Sequence, residues 1–209
     1  MNNKLILNLQ TIPDIKSDLR SYLFEKEKYL EKDDGIWMEF GVYSGKTINY
    51  FSNFTDNIIY GFDSFEGLPE FWREYFPKGA ISANGKLPKV NKNVQLIKGL
   101  FQDTLLPFLK DIKMNTVSFV HIDSDLYSSC KYVLNALIPY FKDSCIILFD
   151  ELFNYPGYEN GELKAINEFM IENKNSFKLE WIGMNGKPGI NYNDGNHHEN
   201  CAIKLIRIK

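Results

Sequence analysis

Short runs of apolar residues recur along the chain, separated by longer stretches in which polar and apolar residues mix. The apolar runs lie at 36–40, 58–62, 94–97, 117–122, 145–149, 179–182 and 202–208. Most of these runs are continuous rather than alternating, which is typical of β-strands that are covered on both faces. The pattern therefore predicts seven strands, most of them inside a sheet with helices on either side.

Helix-like segments lie between most of these strands. Helices are predicted at 46–54, 104–110, 126–140 and 162–173, and a mixed-charge segment at 18–32 is also predicted to be helical. The alternation of strands and helices indicates a mainly parallel sheet with right-handed crossovers. No helix separates the last two strands, so we expect them to form an antiparallel pair at one edge. The prediction is an α/β fold with helices on both faces of a seven-stranded sheet.

The chain is predicted to comprise an N-terminal helical extension, residues 1–34, and an α/β domain, residues 35–209. A length of 209 residues suits a single domain with at most a small appendage. The apolar patch at the N-terminus is too short for a signal peptide, and no apolar run reaches the roughly 20 residues that span a bilayer. We therefore expect a cytoplasmic protein with no membrane partner.

Composition narrows the class of partner. The net charge is −3, and the basic and acidic residues are interspersed without a basic stripe, so nucleic acid is not expected as a partner. The three cysteines, Cys130, Cys145 and Cys201, lack the spacing of a disulfide framework or a zinc site and are expected to be buried. A small molecule is the expected partner, and a homo-oligomer formed through the amphiphilic N-terminal segment is left open.

Two predicted loops, 64–93 and 183–200, are long enough to suggest a function. The first contains five aromatic residues: Phe65, Phe71, Trp72, Tyr75 and Phe76. These residues suit either a lid that excludes water from a site or a satellite hydrophobic cluster. The second loop contains His197 and His198, which suit either an acceptor base or an exposed pair of loop histidines.

Acidic residues follow the carboxyl ends of the first five predicted strands. They are Glu39, Asp63, Asp103, Asp123 with Asp125, and Asp150 with Glu151. In an open parallel sheet, ligands bind beyond these strand ends. Because a row of acids is repulsive unless something binds to it, we expect a cation or hydroxyl groups to be recognised at this edge.

The first two strand ends suggest a nucleoside site. Gly41 and Gly45 allow a tight turn and a close approach between the first strand and the following helix. Asp63 ends the second strand, 22 residues after Gly41, where an acid can accept both hydroxyls of an adenosine ribose. The glycines alone are equally consistent with a plain turn, but their combination with Asp63 favours nucleoside binding.

The fourth and fifth strand ends suggest a metal site. Asp123, Asp150 and Glu151 should converge, and three hard oxygen ligands suit Mg²⁺ or Mn²⁺ better than zinc. Asp125 is also consistent with the N-cap of the following helix. An alternative interpretation takes Asp123-Ser124-Asp125 as the DxD motif of a metal-dependent nucleotide-sugar glycosyltransferase, although it leaves the segment EFGVYSG and the pair Asp150-Glu151 unexplained. A non-catalytic binding protein of the same fold is a further alternative.

Four segments, EFGVYSGKT, GFDSFEGLPE, HIDSDLYSS and LFDE, together resemble the macrocin O-methyltransferase family over roughly residues 36–155. Its best-known members methylate sugars of macrolide antibiotics and depend on S-adenosylmethionine and a metal ion. The resemblance implies a Rossmann-like class I methyltransferase fold. It also implies Mg²⁺-dependent transfer of a methyl group from S-adenosylmethionine to a hydroxyl of a sugar-like small molecule, with the metal chelating two acceptor oxygens.

The resemblance also assigns roles to residues. It implies that Asp63 holds the ribose and that Asp123, Asp150 and Glu151 bind Mg²⁺ or Mn²⁺. The complete predicted cofactor set is Glu39, Gly41, Tyr43, Ser44, Asp63, Ser64, Gln102, Asp103 and Asp123. The predicted catalytic residues are Asp123 and His121, the latter as a contact of cofactor or acceptor. Glu151 stands where the family usually has a second aspartate, and the segment 183–200 departs from the family pattern, so the acceptor is not specified.

Overall fold

The computed structural model describes residues 5–192 and 198–209. Within them, seven strands form one sheet: β1 Ile36–Phe40, β2 Ile59–Asp63, β3 Val94–Lys98, β4 Val117–Ile122, β5 Phe141–Phe149, β6 Phe177–Met184 and β7 Cys201–Arg207. The α-helices of the same residues are α1 Leu19–Ser21, α2 Lys46–Phe51, α3 Phe101–Leu109, α4 Tyr127–Ala136 and α5 Glu162–Glu172. None of the helices in this part of the chain is long and apolar enough to cross a bilayer.

The strands lie in the order β3-β2-β1-β4-β5-β7-β6. β1 pairs in parallel with β2 and β4, β2 with β3, and β4 with β5. β7 is antiparallel to both β5 and β6, so the reversed strand lies just inside the edge that β6 forms. The predicted mainly parallel sheet with an antiparallel pair at one edge is confirmed. The strand order reverses between β1 and β4, the point at which such sheets bind ligands.

Alternate residues of each strand face opposite sides of the sheet, and both sides are covered. Met38 and Phe40 of β1 pack on the side of α3, α4 and α5. Trp37 of the same strand and Phe119 of β4 pack on the other side, against α2 and the N-terminal segment. Burial on both sides explains why the strands read as continuous apolar runs. The three cysteines are buried and unpaired, as predicted.

Beyond the N-terminal segment, helix ends differ from the prediction by up to four residues, and the largest difference is at the end of α4. The segment 126–140 was predicted to be helical throughout, but α4 ends at Ala136. Pro139 lacks a backbone N–H and disfavours helical geometry in the residue before it, so the helix stops before this proline. The chain then enters β5 at Phe141, four residues before the predicted start of this strand.

The N-terminal segment is less helical than predicted. Asp18 caps its first turn by accepting a hydrogen bond from the Ser21 N–H at 2.8 Å, and a π-helical turn Tyr22–Lys26 continues α1. Lys28 and Lys32 adopt positive φ angles of 50° and 60°, which ends the helix. The segment is nevertheless part of the core, because Leu19 and Leu23 are buried against the sheet. The boundary at residue 34 stays a prediction.

Gly41 joins the ends of β1 and β4. Its N–H donates to the Phe62 carbonyl at 2.9 Å, and the Asp123 N–H donates to the Phe40 carbonyl at 2.9 Å. The φ angle of Gly41 is +94°, and a Cβ atom here would lie 1.7 Å from the Asp123 carbonyl oxygen. Only glycine fits this close approach, which brings the β1 loop directly against the end of β4.

Candidate functional site

A cavity of about 280 Å³ lies beyond the carboxyl ends of β1, β2 and β4, and we call it the switch-point cavity. Seven of the residues predicted from sequence line it: Gly41, Tyr43, Asp63, Ser64, Gln102, Asp123 and Glu151. They come from five separate stretches of the chain. The topology therefore brings most of the predicted site together at the place where the strand order reverses.

Asp63 fixes the shape of this cavity. Its Oδ2 accepts hydrogen bonds from the backbone N–H groups of Val42 at 2.8 Å and Tyr43 at 2.7 Å. Its Oδ1 accepts one from the Phe65 N–H at 2.7 Å. The carboxylate thereby ties the loop after β1 to the loop after β2. Each oxygen keeps further acceptor capacity toward the cavity.

Five predicted residues do not line the cavity. They are Glu39, Ser44, Asp103, His121 and Asp150. Ser44 and Asp103 are exposed, and Glu39 and His121 are fully buried on the side of the sheet that α2 covers. Side chains alternate between the two faces along β1 and β4. Glu39 and His121 therefore point away from α3–α5, because their strand neighbours pack on that side.

Glu39 and His121, which are buried, form one group with the half-buried Asp150 and Arg20, and we call it the Arg20 cluster. The Nδ1 atom of His121 lies 3.0 Å from Oε2 of Glu39, and its Nε2 atom lies 3.6 Å from Oδ1 of Asp150. The Arg20 guanidinium donates a hydrogen bond to the same Asp150 oxygen. Arg20 comes from the N-terminal segment, 130 residues away in the chain.

The charges of the Arg20 cluster compensate one another. Burial lowers the pKa of His121, but the nearby carboxylates of Asp150 and Glu39 outweigh this effect and raise that pKa to about 9. Burial raises the pKa of Asp150, but His121 and Arg20 outweigh burial and hold that pKa below its ordinary value. Burial raises the pKa of Glu39, against the opposing effect of His121. Two basic groups therefore stand beside two acids. The predicted catalytic His121 lies in this group rather than at the cavity surface.

A second acidic group, the cavity acids, consists of Asp123, Asp125 and Glu151. One carboxylate oxygen from each lies within 4.8 Å of the others. The pKa of Asp123 is raised well above its ordinary value, mainly by burial and then by the charge of Asp150. The pKa of Glu151 is likewise raised, mainly by burial and then by the charge of Asp123. Burial also raises the pKa of Asp125 to about 7, although Arg73 opposes the shift. The Oε2 atom of Glu151 is buried without a hydrogen-bond partner.

The structure divides the predicted metal trio. Asp150 groups with His121 and Asp123, whereas Glu151 groups with Asp123 and Asp125. Asp123 belongs to both groups and lies between them. Asp150 and Glu151 are consecutive residues after β5, and their side chains lead to these two different groups. Two acids that are neighbours in the sequence therefore belong to different groups in the structure.

Asp125 is not the N-cap of α4, so that interpretation is wrong. The helix begins at Tyr127, and Leu126 occupies the N-cap without a side-chain hydrogen bond. Asp125 instead adopts a φ of +63°, in the left-handed region that few non-glycine residues occupy. This conformation holds its buried carboxylate in the cavity. Strain of this kind at a ligand site is consistent with a functional role.

The sequence interpretation missed Arg73. Its guanidinium carbon lies 3.8 Å from the centre of the Trp72 ring, and its Nη1 atom lies 3.4 Å from Oε2 of Glu199. Arg73 also lines the switch-point cavity. The signal was an arginine flanked by aromatic residues in the loop 64–93, but nothing in the sequence indicates that this loop folds back onto the strand ends.

Glu162 was also missed. It begins α5, is completely buried, and lies near the cavity acids. Burial, followed by the charges of Asp125 and Asp123, raises its pKa well above the ordinary value. An acid in the first turn of a helix is ordinarily a surface residue that favours the helix dipole, so the sequence carried no signal for this burial.

The two long loops contribute unequally. In the loop 64–93, Phe65 is buried in the core, whereas Phe71 and Tyr75 are 65% and 85% exposed. Part of the loop is thus a hydrophobic cluster and part is open to solvent. His198 stacks on Tyr192 and its Nδ1 atom lies 2.9 Å from the Asn185 carbonyl oxygen, away from the switch-point cavity. His197 lies outside the described residues.

Residues 38–152, more than half of the chain, match the model of a protein family described as "Methyltransferase domain". The chain belongs to this family, and the protein is a methyltransferase. No curated protein matches the chain at a significant level.

Solved structures share the fold at low sequence identity. The calicheamicin methyltransferase CalS11 is 21% identical with a TM-score of 0.59, over 95% of this chain and 88% of CalS11. An O-methyltransferase from Bacillus cereus in complex with SAH is 13% identical with a TM-score of 0.55, over 94% and 85% of the two chains. The O-methyltransferase TomG from Streptomyces achromogenes, in complex with SAM, is 16% identical with a TM-score of 0.53, over 91% and 80%. The fold is thus the Rossmann-like fold of class I methyltransferases.

Proposed function

We propose that this methyltransferase transfers a methyl group from S-adenosylmethionine to a hydroxyl group of a sugar-like small molecule, with the help of a divalent cation. The observation that carries the proposal is the switch-point cavity, which places Asp63 and the cavity acids around one space. A second structure of CalS11 is described as a TDP-rhamnose 3′-O-methyltransferase, with 21% identity and a TM-score of 0.52. That activity, together with the macrocin-type motifs of this chain, supports a sugar-like acceptor.

Asp63 is the residue that we assign to the ribose. S-adenosylmethionine, when bound, supplies an electrophilic methyl group next to a sulfonium ion. Asp63 already holds the Gly41 loop through backbone N–H groups, and its remaining acceptor capacity suits two ribose hydroxyls. Tyr43, Ser64 and Gln102 line the same space. Glu39, Ser44 and Asp103 lie outside it, so we leave them out of the proposed cofactor site.

The cavity acids fit a divalent cation. Three carboxylate oxygens lie within 4.8 Å of one another, and all are hard ligands of the kind that Mg²⁺ and Mn²⁺ prefer. Asp123 and Glu151 would hold the ion, because they are the two cavity acids that the sequence also predicted as metal ligands. Asp125 and Asp150 flank them on either side. A cation bound there would supply Lewis-acid assistance and lower the pKa of an acceptor hydroxyl.

Asp125 is the acid that we assign to the acceptor. It lines the switch-point cavity and also the larger space on the other side of Trp72 and Arg73. An acceptor hydroxyl that enters from that side would reach the Asp125 carboxylate, because Asp125 lines both spaces whereas Asp123 and Glu151 line only the switch-point cavity. Asp125 would accept the proton that the acceptor hydroxyl loses when it takes the methyl group that S-adenosylmethionine would supply, and S-adenosylhomocysteine would be the leaving group.

The glycosyltransferase alternative is not retained. The family match spans β1, the Gly41 loop and the end of β5, all of which that alternative left unexplained. Asp123 and Asp125 also serve the methyltransferase interpretation directly, as members of the cavity acids.

Calorimetric titration with S-adenosylhomocysteine tests the cofactor site. Asp63→Ala removes two charge-assisted hydrogen bonds of about 1.5–3 kcal/mol each, so the affinity should fall at least tenfold. Asp103→Ala is the matched control, because it removes an exposed predicted cofactor residue outside the cavity and should change nothing. Unchanged affinity in folded Asp63→Ala would refute the placement of the ribose. Tight binding of uridine diphosphate instead of S-adenosylhomocysteine would restore the glycosyltransferase alternative.

A further inference from the structure

The Arg73 guanidinium lies between two acids that belong to different parts of the site. Its Nη1 atom is 3.4 Å from each carboxylate oxygen of Glu199. Arg73 also lines the switch-point cavity together with Asp125, and its charge opposes the rise that burial causes in the pKa of Asp125. Arg73 and Glu199 are both half-buried, so solvent screens their charges only in part. One guanidinium therefore serves two carboxylates.

The contact between Arg73 and Glu199 is loose. Charge-assisted hydrogen bonds of this type are ordinarily about 2.7–2.9 Å long, and both distances here exceed that range. The guanidinium is held instead by aromatic rings, since its carbon atom lies 3.8 Å from the centre of the Trp72 ring and 4.9 Å from that of Tyr155. Stacking of this kind holds a cation over the rings but does not select between two acids beside it.

Glu199 is attached to the backbone of the proposed cation site. Its carbonyl oxygen accepts hydrogen bonds from the N–H groups of Leu152 at 2.7 Å and Phe153 at 3.0 Å. These two residues directly follow Glu151, so Glu199 is tied to the turn that carries a proposed cation ligand. Arg73 comes from the irregular loop 64–93. The ion pair therefore connects this loop to the cation site.

We propose that Arg73 is a positioning residue that neutralises Asp125 in the absence of a cation, and that Glu199 takes up Arg73 when a divalent cation binds. The inference rests on the proposed function, because it requires a cation at the cavity acids. Such a cation would repel the guanidinium beside Asp125, because like charges repel strongly where water is partly excluded. Glu199 lines neither the switch-point cavity nor the larger space beside it, so it offers Arg73 a carboxylate outside the site. Asp125 is then unpaired, as its proposed role of proton acceptor requires.

Mn²⁺ titration of the full chain, followed by electron paramagnetic resonance, tests the competition. Arg73→Gln removes the competing charge and should strengthen Mn²⁺ binding about fivefold. Arg73→Lys keeps the charge and should stay within about twofold of the unaltered protein, whereas a role in packing alone would make it resemble Arg73→Gln. Lys78→Gln is the matched control, because it removes an exposed charge of the same loop that lines neither space, and it should change nothing.

A double-mutant cycle tests the part of Glu199. Glu199→Gln leaves Arg73 with Asp125 and should weaken Mn²⁺ binding about fivefold. In the Arg73→Gln background the same change should weaken it by less than about twofold, because no guanidinium is left to transfer. Equal effects in the two backgrounds would show that Glu199 acts only as a distant charge, which overturns the inference. Unchanged or weaker Mn²⁺ binding by Arg73→Gln also overturns it.

Hydrogen exchange reports on the loop itself. The Trp72 N–H donates to the Phe76 carbonyl at 3.1 Å, and the Phe76 N–H donates to the Arg73 carbonyl at 2.8 Å. Mg²⁺ should slow the exchange of these two amides in the unaltered protein but not in Glu199→Gln, because only an intact Glu199 can tie down Arg73. Exchange that responds to Mg²⁺ equally in both proteins would contradict the transfer. If the unaltered protein bound no Mn²⁺, the cation site of the proposed function would itself be refuted, whereas Mn²⁺ binding with an additive cycle overturns this inference alone.

Discussion

Two groups of acids meet at Asp123, and they differ in what neutralises them. In the Arg20 cluster, the carboxylates of Glu39 and Asp150 lie against His121 and Arg20. Among the cavity acids, Asp123, Asp125 and Glu151 lie against one another, with Arg73 at the rim. Both groups lie at the same strand ends, and each combines buried with half-buried carboxylates.

The difference in charge compensation indicates that the Arg20 cluster is structural and that the cavity acids bind a ligand. Buried charges persist in a protein when opposite charges and hydrogen bonds accompany them. The Arg20 cluster meets the charge part of this condition from within the chain, because His121 and Arg20 lie against Glu39 and Asp150. The cavity acids do not, since crowding and burial hold the pKa of both Asp123 and Glu151 high. A cation from solution would satisfy this second group, which is why we assign function to it and a scaffold role to the first.

The largest expected effect is on metal binding and turnover. Glu151→Gln removes a cation ligand, so methyl transfer should fall on the order of a thousandfold. Mn²⁺ binding, followed by electron paramagnetic resonance, should weaken in parallel and needs no known acceptor. Asp143→Asn, at an exposed acid far from the cavity, is the control. If Mn²⁺ bound Glu151→Gln as tightly as the unaltered protein, the distinction between the two groups would collapse.

The next effect is on stability. Arg20→Met leaves the Asp150 carboxylate without its guanidinium partner in a half-buried site, which should lower the free energy of unfolding by about 2–3 kcal/mol. Chemical denaturation without added metal measures this change. Lys16→Met, at an exposed lysine of the same segment, should stay within about 0.5 kcal/mol. Equal effects of the two substitutions would show that Arg20 does not serve as the internal cation of its cluster.

A pH effect of intermediate size should come from His121. Its pKa in the folded protein is about 9, against an ordinary value of 6.5. A raised pKa stabilises the fold fully below pH 6.5, and this stabilisation is lost as the pH rises through 9. The free energy of unfolding should fall by on the order of 2 kcal/mol between pH 6.5 and 9.5. NMR of the His121 imidazole is the direct check, and a ring that is neutral at pH 8 would contradict the assignment.

The smallest effect should have the opposite sign. Without metal, Glu151→Gln removes one of three crowded acids and should stabilise the protein by about 1 kcal/mol. Asp150→Asn, one residue earlier, should destabilise it because the Arg20 pairing is weakened. Thermal melting in the presence of EDTA compares the two. The same sign for both neighbours would mean that the two groups are not electrostatically distinct.

The sequence predicted where the site lies, but it did not predict that the acids there form two separate groups. The continuous apolar runs predicted the sheet, and acids at the strand ends predicted where ligands bind. Gly41 and Asp63 both line one cavity, and their positions follow from strand ends alone. The trio Asp123, Asp150 and Glu151 was predicted as one group, whereas the structure divides it between two.

What the sequence determined by itself is therefore the order of the elements and the edge at which chemistry collects, because strand periodicity and chain direction are local properties. Only the tertiary structure decided which acids receive an internal cation. Arg20 reaches Asp150 across 130 residues, and Arg73 reaches the cavity through a loop without regular structure. The group that the side chain of Asp150 or Glu151 joins depends on how the chain turns after β5. Electrostatic compensation depends on distances of a few ångströms between such remote residues, and these distances exist only after the sheet has assembled.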